Sequence, residues 1–122
     1  MTAPRLEPGL VVFAASVALE HEPVPADQVV AGEPTTGHLV LDDQGPVTIG
    51  VWEMSVGAMS DVEADEVFVV LAGDATVEFT GGPGHDTGLD SIELQAGSVV
   101  RLVAGMETVW TVRAPLRKVY LA

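Results

Sequence analysis

Cysteine is missing from the 122 residues of this chain. Its absence excludes disulfide bonds, thiolate catalysis and the common cysteine-based zinc sites, and it fits the cytoplasmic location that we expect. Long hydrophobic runs are missing too. The apolar stretch Leu10–Leu19 is too short to span a bilayer and lacks the flanks of a secretion signal, so we expect neither a membrane span nor a signal peptide.

Basic residues are scarce. Five Lys and Arg stand against eighteen Asp and Glu, which gives a net charge of -13, and no Lys or Arg occurs between Leu6 and Val100. A nucleic-acid partner requires a dense cationic surface, and an anionic membrane repels an acidic protein. We therefore predict no nucleic-acid or membrane partner and interpret the acidic excess as a solvated, self-repelling surface.

No long helical periodicity is present, and short apolar runs are instead broken by 13 Gly and 8 Pro, as is typical of strands and turns. A tight hairpin is predicted at Gly73-Asp74, a longer one at residues 81–84, and a turn at residues 95–98. Closely spaced strands of this kind predict a single all-β domain, either a barrel or a jelly-roll sandwich. The eight predicted strands are His38–Leu41, Val47–Met54, Val67–Ala72, Ala75–Thr80, Ser91–Leu94, Ser98–Val103, Thr108–Val112 and Leu116–Leu121.

Residues before the first predicted strand are rich in Pro and Gly. We predict an N-terminal arm or exchanged edge strand over residues 1–14, the folded domain over residues 15–122, and a helical turn near residues 26–30. The strand that follows Glu66 is apolar on both faces, since Phe68 and Val70 alternate with residues 67, 69 and 71. A barrel that also packs on a second subunit would bury both faces, so we predict a homodimer.

Several residues match two conserved motifs of one protein superfamily. Glu66 and Gly73 have the spacing that closes its first motif, and Gly97 and Gly105 have the spacing of the two glycines of its second. On these residues the chain resembles the cupins, and in particular the short single-domain members similar to the cupin domain of (S)-ureidoglycine aminohydrolase. The segments that carry this closer resemblance are Val30–Pro34, Gly50–Met54, Asp65-Glu66, Thr108–Val112 and Arg117–Tyr120. The resemblance implies a double-stranded β-helix, the cupin jelly-roll barrel.

Metal-dependent cupins hold their ion with imidazoles and a carboxylate. The resemblance puts the ligand histidines at Glu63, Asp65 and Thr108, none of which is a histidine. A carboxylate set of Glu63, Asp65 and Glu66 would suit only a hard ion such as manganese. We therefore expect no metal cofactor, with manganese held by these three residues as the alternative.

The resemblance also places Glu66 inside the barrel, where a carboxylate requires a cation, a proton or a metal. The resemblance suggests Lys118 as the partner of Glu66, and we predict that Lys118, or else Arg101, takes that role. Aromatic residues would form the walls of a cavity or, in the plainer interpretation, pack as core. The predicted ligand-binding residues are Trp52, Glu66, Arg101, Thr108, Trp110, Lys118 and Tyr120.

Three functional hypotheses remain open, and the sequence does not decide whether the protein is an enzyme. The first is a cupin that binds a small polar molecule without a metal. The second is a manganese-dependent aminohydrolase resembling ureidoglycine aminohydrolase. The third is a structural dimer with a solid interior, which the lack of a cavity beside Trp52, Glu66 and Trp110 would favour.

Overall fold

The computed structural model describes residues 3–85, 88 and 90–122, and within them the chain forms nine antiparallel strands and no α-helix. No helix in this part of the chain has the length and apolar character required to cross a membrane. The strands are β1 (His21–Pro23), β2 (Val29–Ala31), β3 (Thr35–Asp42), β4 (Ile49–Met54), β5 (Gly57–Val62), β6 (Glu66–Gly81), β7 (Ser91–Gln95), β8 (Val99–Leu102) and β9 (Glu107–Leu121).

Two long strands organise the fold. Strand β6 has 16 residues and β9 has 15, and the two pair antiparallel along nearly their whole length. The first half of β6 and the second half of β9 lie in a sheet of order β1-β3-β4-β9-β6-β8. Their other halves lie in a sheet of order β2-β5-β9-β6-β7. Because both long strands pass from one sheet to the other, the chain closes into the predicted double-stranded β-helix, a jelly-roll barrel.

The passage between the sheets is made at Gly73. The β6–β9 register shifts several times between Val70 and Ala75. Gly73 has a φ of +113°, and a Cβ on it would lie 2.5 Å from the carbonyl oxygen of Pro115 and 2.6 Å from the Cα of Leu116. The predicted hairpin at Gly73-Asp74 is therefore wrong: glycine is required there because two bent strands touch, whereas the sequence pattern suggested that the chain reverses.

Other differences concern strand boundaries. The two strands predicted over residues 108–121 are one, and β1, β2 and β5 were not predicted. The predicted helical turn is limited to a turn over residues 26–28, in which the Gln28 N–H donates to the Pro25 carbonyl, and β2 follows directly. The longer hairpin, between β6 and β7, and the turn before β8 are present as predicted.

The core lies between the two sheets and is mainly aliphatic and aromatic. Phe68 and Val70 face it from β6, whereas residues 67, 69 and 71 on the opposite face are half-buried in a single chain. The predicted homodimer would cover this outer face, and it remains a prediction. The largest fully buried core side chains are Phe68, Met54, Leu94, Leu102, Leu116, Val51, Val70, Val77 and Val112.

The segment that precedes β1 is held by hydrogen bonds to the outside of the barrel. Arg117 on β9 donates to the carbonyl oxygens of Ala14 and Val17, at 3.0 and 2.7 Å, and to Glu53 on β4 at 2.7 Å. Burial disfavours the charged form of Glu53, but hydrogen bonds from Arg117 and His21 outweigh it and hold the pKa of Glu53 below its ordinary value. Arg117 therefore links the N-terminal segment to the sheet, and the Glu53 carboxylate holds its guanidinium in place.

The contact at Gly73 predicts a stability effect. Gly73→Ala should lower the free energy of unfolding by about 1–3 kcal/mol more than Gly97→Ala does, measured by urea denaturation. Gly97 is the matched control because it also has a positive φ, of +92°, but an added Cβ meets no atom within 4 Å. Equal losses in the two variants would mean that backbone strain alone, and not the contact between β6 and β9, requires glycine at position 73.

Candidate functional site

A cavity of about 210 Å³ lies inside the barrel. Five of the seven predicted ligand-binding residues line it. The presence of this cavity argues against the hypothesis of a structural dimer with a solid interior. Aromatic and charged side chains line it, and β5 and β9 contribute more than half of the lining residues. The residues that line it are His38, Trp52, Met59, Asp61, Glu63, Glu66, Trp110, Lys118 and Tyr120.

Strand geometry explains why these residues meet. Trp110, Lys118 and Tyr120 occupy even positions of β9, so they project to the same face. Lys118 pairs in register with Trp52 on β4, and Tyr120 pairs with Gly50 on the same strand. A Cβ on Gly50 would collide with the ring of Tyr120, so the missing side chain at position 50 leaves the space that this ring occupies.

The predicted ion pair between Glu66 and Lys118 is present. The Lys118 ammonium lies 2.5 Å from Oε2 of Glu66, and their side chains are 6% and 18% exposed. The same ammonium lies 4.8, 4.3 and 4.8 Å from the ring centroids of Trp52, Phe68 and Trp110. Aromatic faces attract cations, and a carboxylate neutralises them, so these groups together compensate the burial of Lys118.

A second carboxylate, Glu63, is fixed by side chains of β9. Its Oε2 accepts hydrogen bonds from the Thr108 hydroxyl at 2.6 Å and from the indole N–H of Trp110 at 3.0 Å. Both donors are almost fully buried. Glu63 and Thr108, the positions where the resemblance would put two metal-binding histidines, are thus bonded directly to each other.

Burial affects two other ionisable groups of the cavity. It raises the pKa of Asp61, and the nearby charge of Glu63 raises that pKa further. Burial likewise raises the pKa of the Tyr120 hydroxyl, with the charge of Glu66 adding to the effect. Both shifts follow from a cavity that is partly desolvated and rich in carboxylates.

Two of the predicted ligand-binding residues do not line the cavity. Thr108 donates a hydrogen bond to Glu63, which lines the cavity, but does not line it itself. It lines a neighbouring cavity of about 220 Å³ together with Asp61. Arg101 is exposed on β8, where it pairs in register with Val67 and borders a separate depression. The partner of Glu66 is therefore Lys118 and not Arg101.

The ligand-binding residues predicted from the sequence do not include His38, Met59, Phe68 or Asp61, which lies in β5. His38 pairs in register with Trp52, and Met59 pairs with Trp110. Side chains at paired positions share one face of a sheet, so the register would have revealed both residues. The pairing of Met59 depends on β5, which the sequence pattern does not predict.

The donor set does not suit a metal ion. Asp65 is exposed, and its Oδ1 accepts the backbone N–H of Ala104 at 2.9 Å. Glu66 is neutralised by Lys118, whose ammonium already occupies the position beside Oε2 that a metal ion bound to this carboxylate would need. Across residues 3–85, 88 and 90–122, no three His, Asp or Glu side chains form a group able to hold a metal. The manganese set Glu63, Asp65 and Glu66 is therefore not assembled.

Solved structures of similar fold come from several bacteria. A Pseudomonas syringae protein of unknown function in the DUF861 family superposes with a TM-score of 0.69 at 19% identity over 88% of this chain and 45% of its own. This chain thus spans less than half of that protein. A putative ethanolamine utilization protein Q from Salmonella typhimurium gives a TM-score of 0.60 at 15% identity over 86% and 96% of the two chains. The EutQ protein of Clostridium difficile gives 0.58 at 16% identity over 72% and 61%.

No curated protein matches this chain in sequence. The structural matches are too distant in sequence to indicate more than a shared fold, which is the cupin barrel. Residues 41–120, about two thirds of the chain, match the family described as the EutQ-like cupin domain. That stretch runs from the end of β3 to the end of β9 and includes every residue that lines the cavity except His38. The chain therefore belongs to the EutQ-like cupin domain family.

Proposed function

We propose that this cupin binds a small polar organic molecule inside its barrel and uses no metal to do so. The observation that carries the proposal is the cavity of about 210 Å³, in which polar groups converge between aromatic walls. Such cavities are the usual binding sites for small ligands. Drug-sized ligands occupy cavities of about 300–1,000 Å³, so the ligand of this protein is smaller.

The cavity offers fixed polar partners. Glu63 is oriented by Thr108 and Trp110, and the ion pair of Glu66 and Lys118 keeps a second carboxylate in position. Trp52 and Trp110 lie with ring centroids 5.6 Å apart and ring planes inclined by 57°, and together they form an apolar wall. Groups held before a ligand arrives reduce the entropy that binding costs.

A manganese-dependent aminohydrolase similar to ureidoglycine aminohydrolase is the alternative, and we do not favour it. That hypothesis needs a metal whose ligands this chain does not assemble, because Asp65 lies outside the cavity and Lys118 occupies the position facing Glu66.

Ligand binding can be followed by tryptophan fluorescence and by NMR. Both tryptophans and the single tyrosine of the chain line the cavity. We expect a small polar compound that binds there to change the tryptophan fluorescence and to shift both indole N–H signals in an NMR titration. A screen of small amines, alcohols, amides and carboxylates with this readout identifies binders, and uniformly unchanged spectra would contradict the proposal.

A wall substitution tests where such a compound binds. Trp52→Ala should weaken its affinity about tenfold, because truncating a buried aromatic wall removes contact area, while Trp110 remains as the reporter. Val56→Ala is the matched control, since the Val56 side chain is exposed outside the cavity. Equal affinities in the two variants would place the binding elsewhere.

The ion pair predicts a large effect on stability. Lys118→Met should lower the free energy of unfolding by about 3–5 kcal/mol, because it leaves the Glu66 carboxylate without a cation. Urea denaturation at neutral pH measures the loss. Arg101→Met removes an equal charge from an exposed side chain and should change stability by about 0.5 kcal/mol or less.

A double variant separates the charge effect from packing. Adding Glu66→Gln to Lys118→Met should restore part of the lost stability, because the carboxylate is then no longer charged and unpaired. A Lys118→Met protein as stable as the parent would show that Glu66 does not depend on Lys118.

A further inference from the structure

The cavity contains more negative than positive charge. Three carboxylates line it, those of Asp61, Glu63 and Glu66, whereas Lys118 is the only Lys or Arg among the lining residues. Lys118 is already paired with Glu66. The carboxylates of Asp61 and Glu63 therefore have no cationic partner among the described residues, and their charges act on whatever enters the cavity.

Each of these two carboxylates keeps one oxygen free of protein donors. Glu63 receives both of its hydrogen bonds on Oε2, and Asp61 receives the N–H of Val62 on Oδ1 at 2.9 Å. The other oxygen of each has no hydrogen-bond donor among residues 3–85, 88 and 90–122. Among those residues, every buried side-chain oxygen has a hydrogen-bond partner. Since the free oxygens of Asp61 and Glu63 have none, they are accessible to solvent. Both are thus available to a donor carried by a ligand.

The aromatic wall is suited to the same type of ligand. Trp52 and Trp110 already hold one ammonium group, that of Lys118, at 4.8 Å from each ring centroid. Ring faces attract organic cations and give no comparable attraction to anions or neutral groups. Met59 adds apolar surface beside them, which suits the carbon skeleton of an organic cation better than a hydrated inorganic ion.

We propose that the ligand of this cavity is a small organic ammonium ion, bound by the free oxygens of Asp61 and Glu63 against the indole faces of Trp52 and Trp110. The inference rests on the proposed function, and it adds the chemical class of the ligand. A carboxylate paired with an ammonium forms a charge-assisted hydrogen bond, the strong kind, and the indole faces attract the same cation.

A set of three compounds with the same carbon chain tests the charge preference. Butylammonium, 1-butanol and butyrate are titrated into the full chain at neutral pH, with both indole N–H signals as the readout. Butylammonium should bind at least about tenfold more tightly than 1-butanol, and butyrate should not bind, as charge-assisted hydrogen bonding requires. If 1-butanol or butyrate binds as tightly, the ammonium proposal is wrong and binding in the cavity stands. If none of the three, and no compound of the wider screen, shifts the indole signals, the proposed function itself fails.

Variants assign the preference to particular carboxylates. Glu63→Gln keeps an oxygen that can accept from Thr108 and Trp110 but removes the charge, and it should weaken butylammonium binding about tenfold without affecting 1-butanol. Asp61→Asn should act in the same direction, and its amide oxygen can still accept the hydrogen bond from the Val62 N–H.

Glu78→Gln is the matched control, because Glu78 is exposed on β6 and lies outside the cavity. It removes the same charge from the surface and should leave butylammonium affinity unchanged. A loss in Glu78→Gln equal to that in Glu63→Gln would mean that the net charge of the protein, and not the cavity, attracts the cation, and would overturn the proposal.

Discussion

An ammonium group enclosed by three aromatic rings and one carboxylate is the interaction on which the rest of this barrel depends. Lys118 is almost fully buried, and a charge in that position is tolerated only when its partners are close and correctly oriented. Glu66 and the rings of Trp52, Phe68 and Trp110 satisfy that condition from three strands. The arrangement therefore fixes the relative positions of β4, β6 and β9 as well as the chemistry of the cavity.

For these side chains to meet, β6 and β9 must stay paired with each other in both sheets. Both strands also have to cross from one sheet to the other. The register shifts between Val70 and Ala75 absorb the bend, and the buried side of β6 changes from even to odd positions across them. Phe68 and Val77 therefore both face the core although the residue count between them would put them on opposite faces. Close contact at Gly73 is the structural condition for this change.

Sequence patterns predict the features that depend on residues close together in the chain better than those that depend on tertiary contacts. Strand composition and the motif residues Glu66 and Gly73 predict the jelly-roll fold. An inward Glu66 needs a cation, and the resemblance to cupins suggests that this cation is Lys118. The pattern fails where a residue has two physical uses. Glycine next to aspartate at positions 73 and 74 is typical of a tight turn, but it equally permits two backbones to touch, and only tertiary contacts distinguish these. Asp61 is missing from the predicted site for the related reason that β5, on which it lies, is short and carries little alternation.

The outline of the cavity is partly determined by a residue that does not line it. Gly50 gives the ring of Tyr120 its space on the adjacent strand, so any larger residue there would displace the ring. A change at this position would alter the size and shape of the cavity while every polar group that lines it kept its identity. Two barrels with the same charged residues would in this way differ in the volume that they enclose.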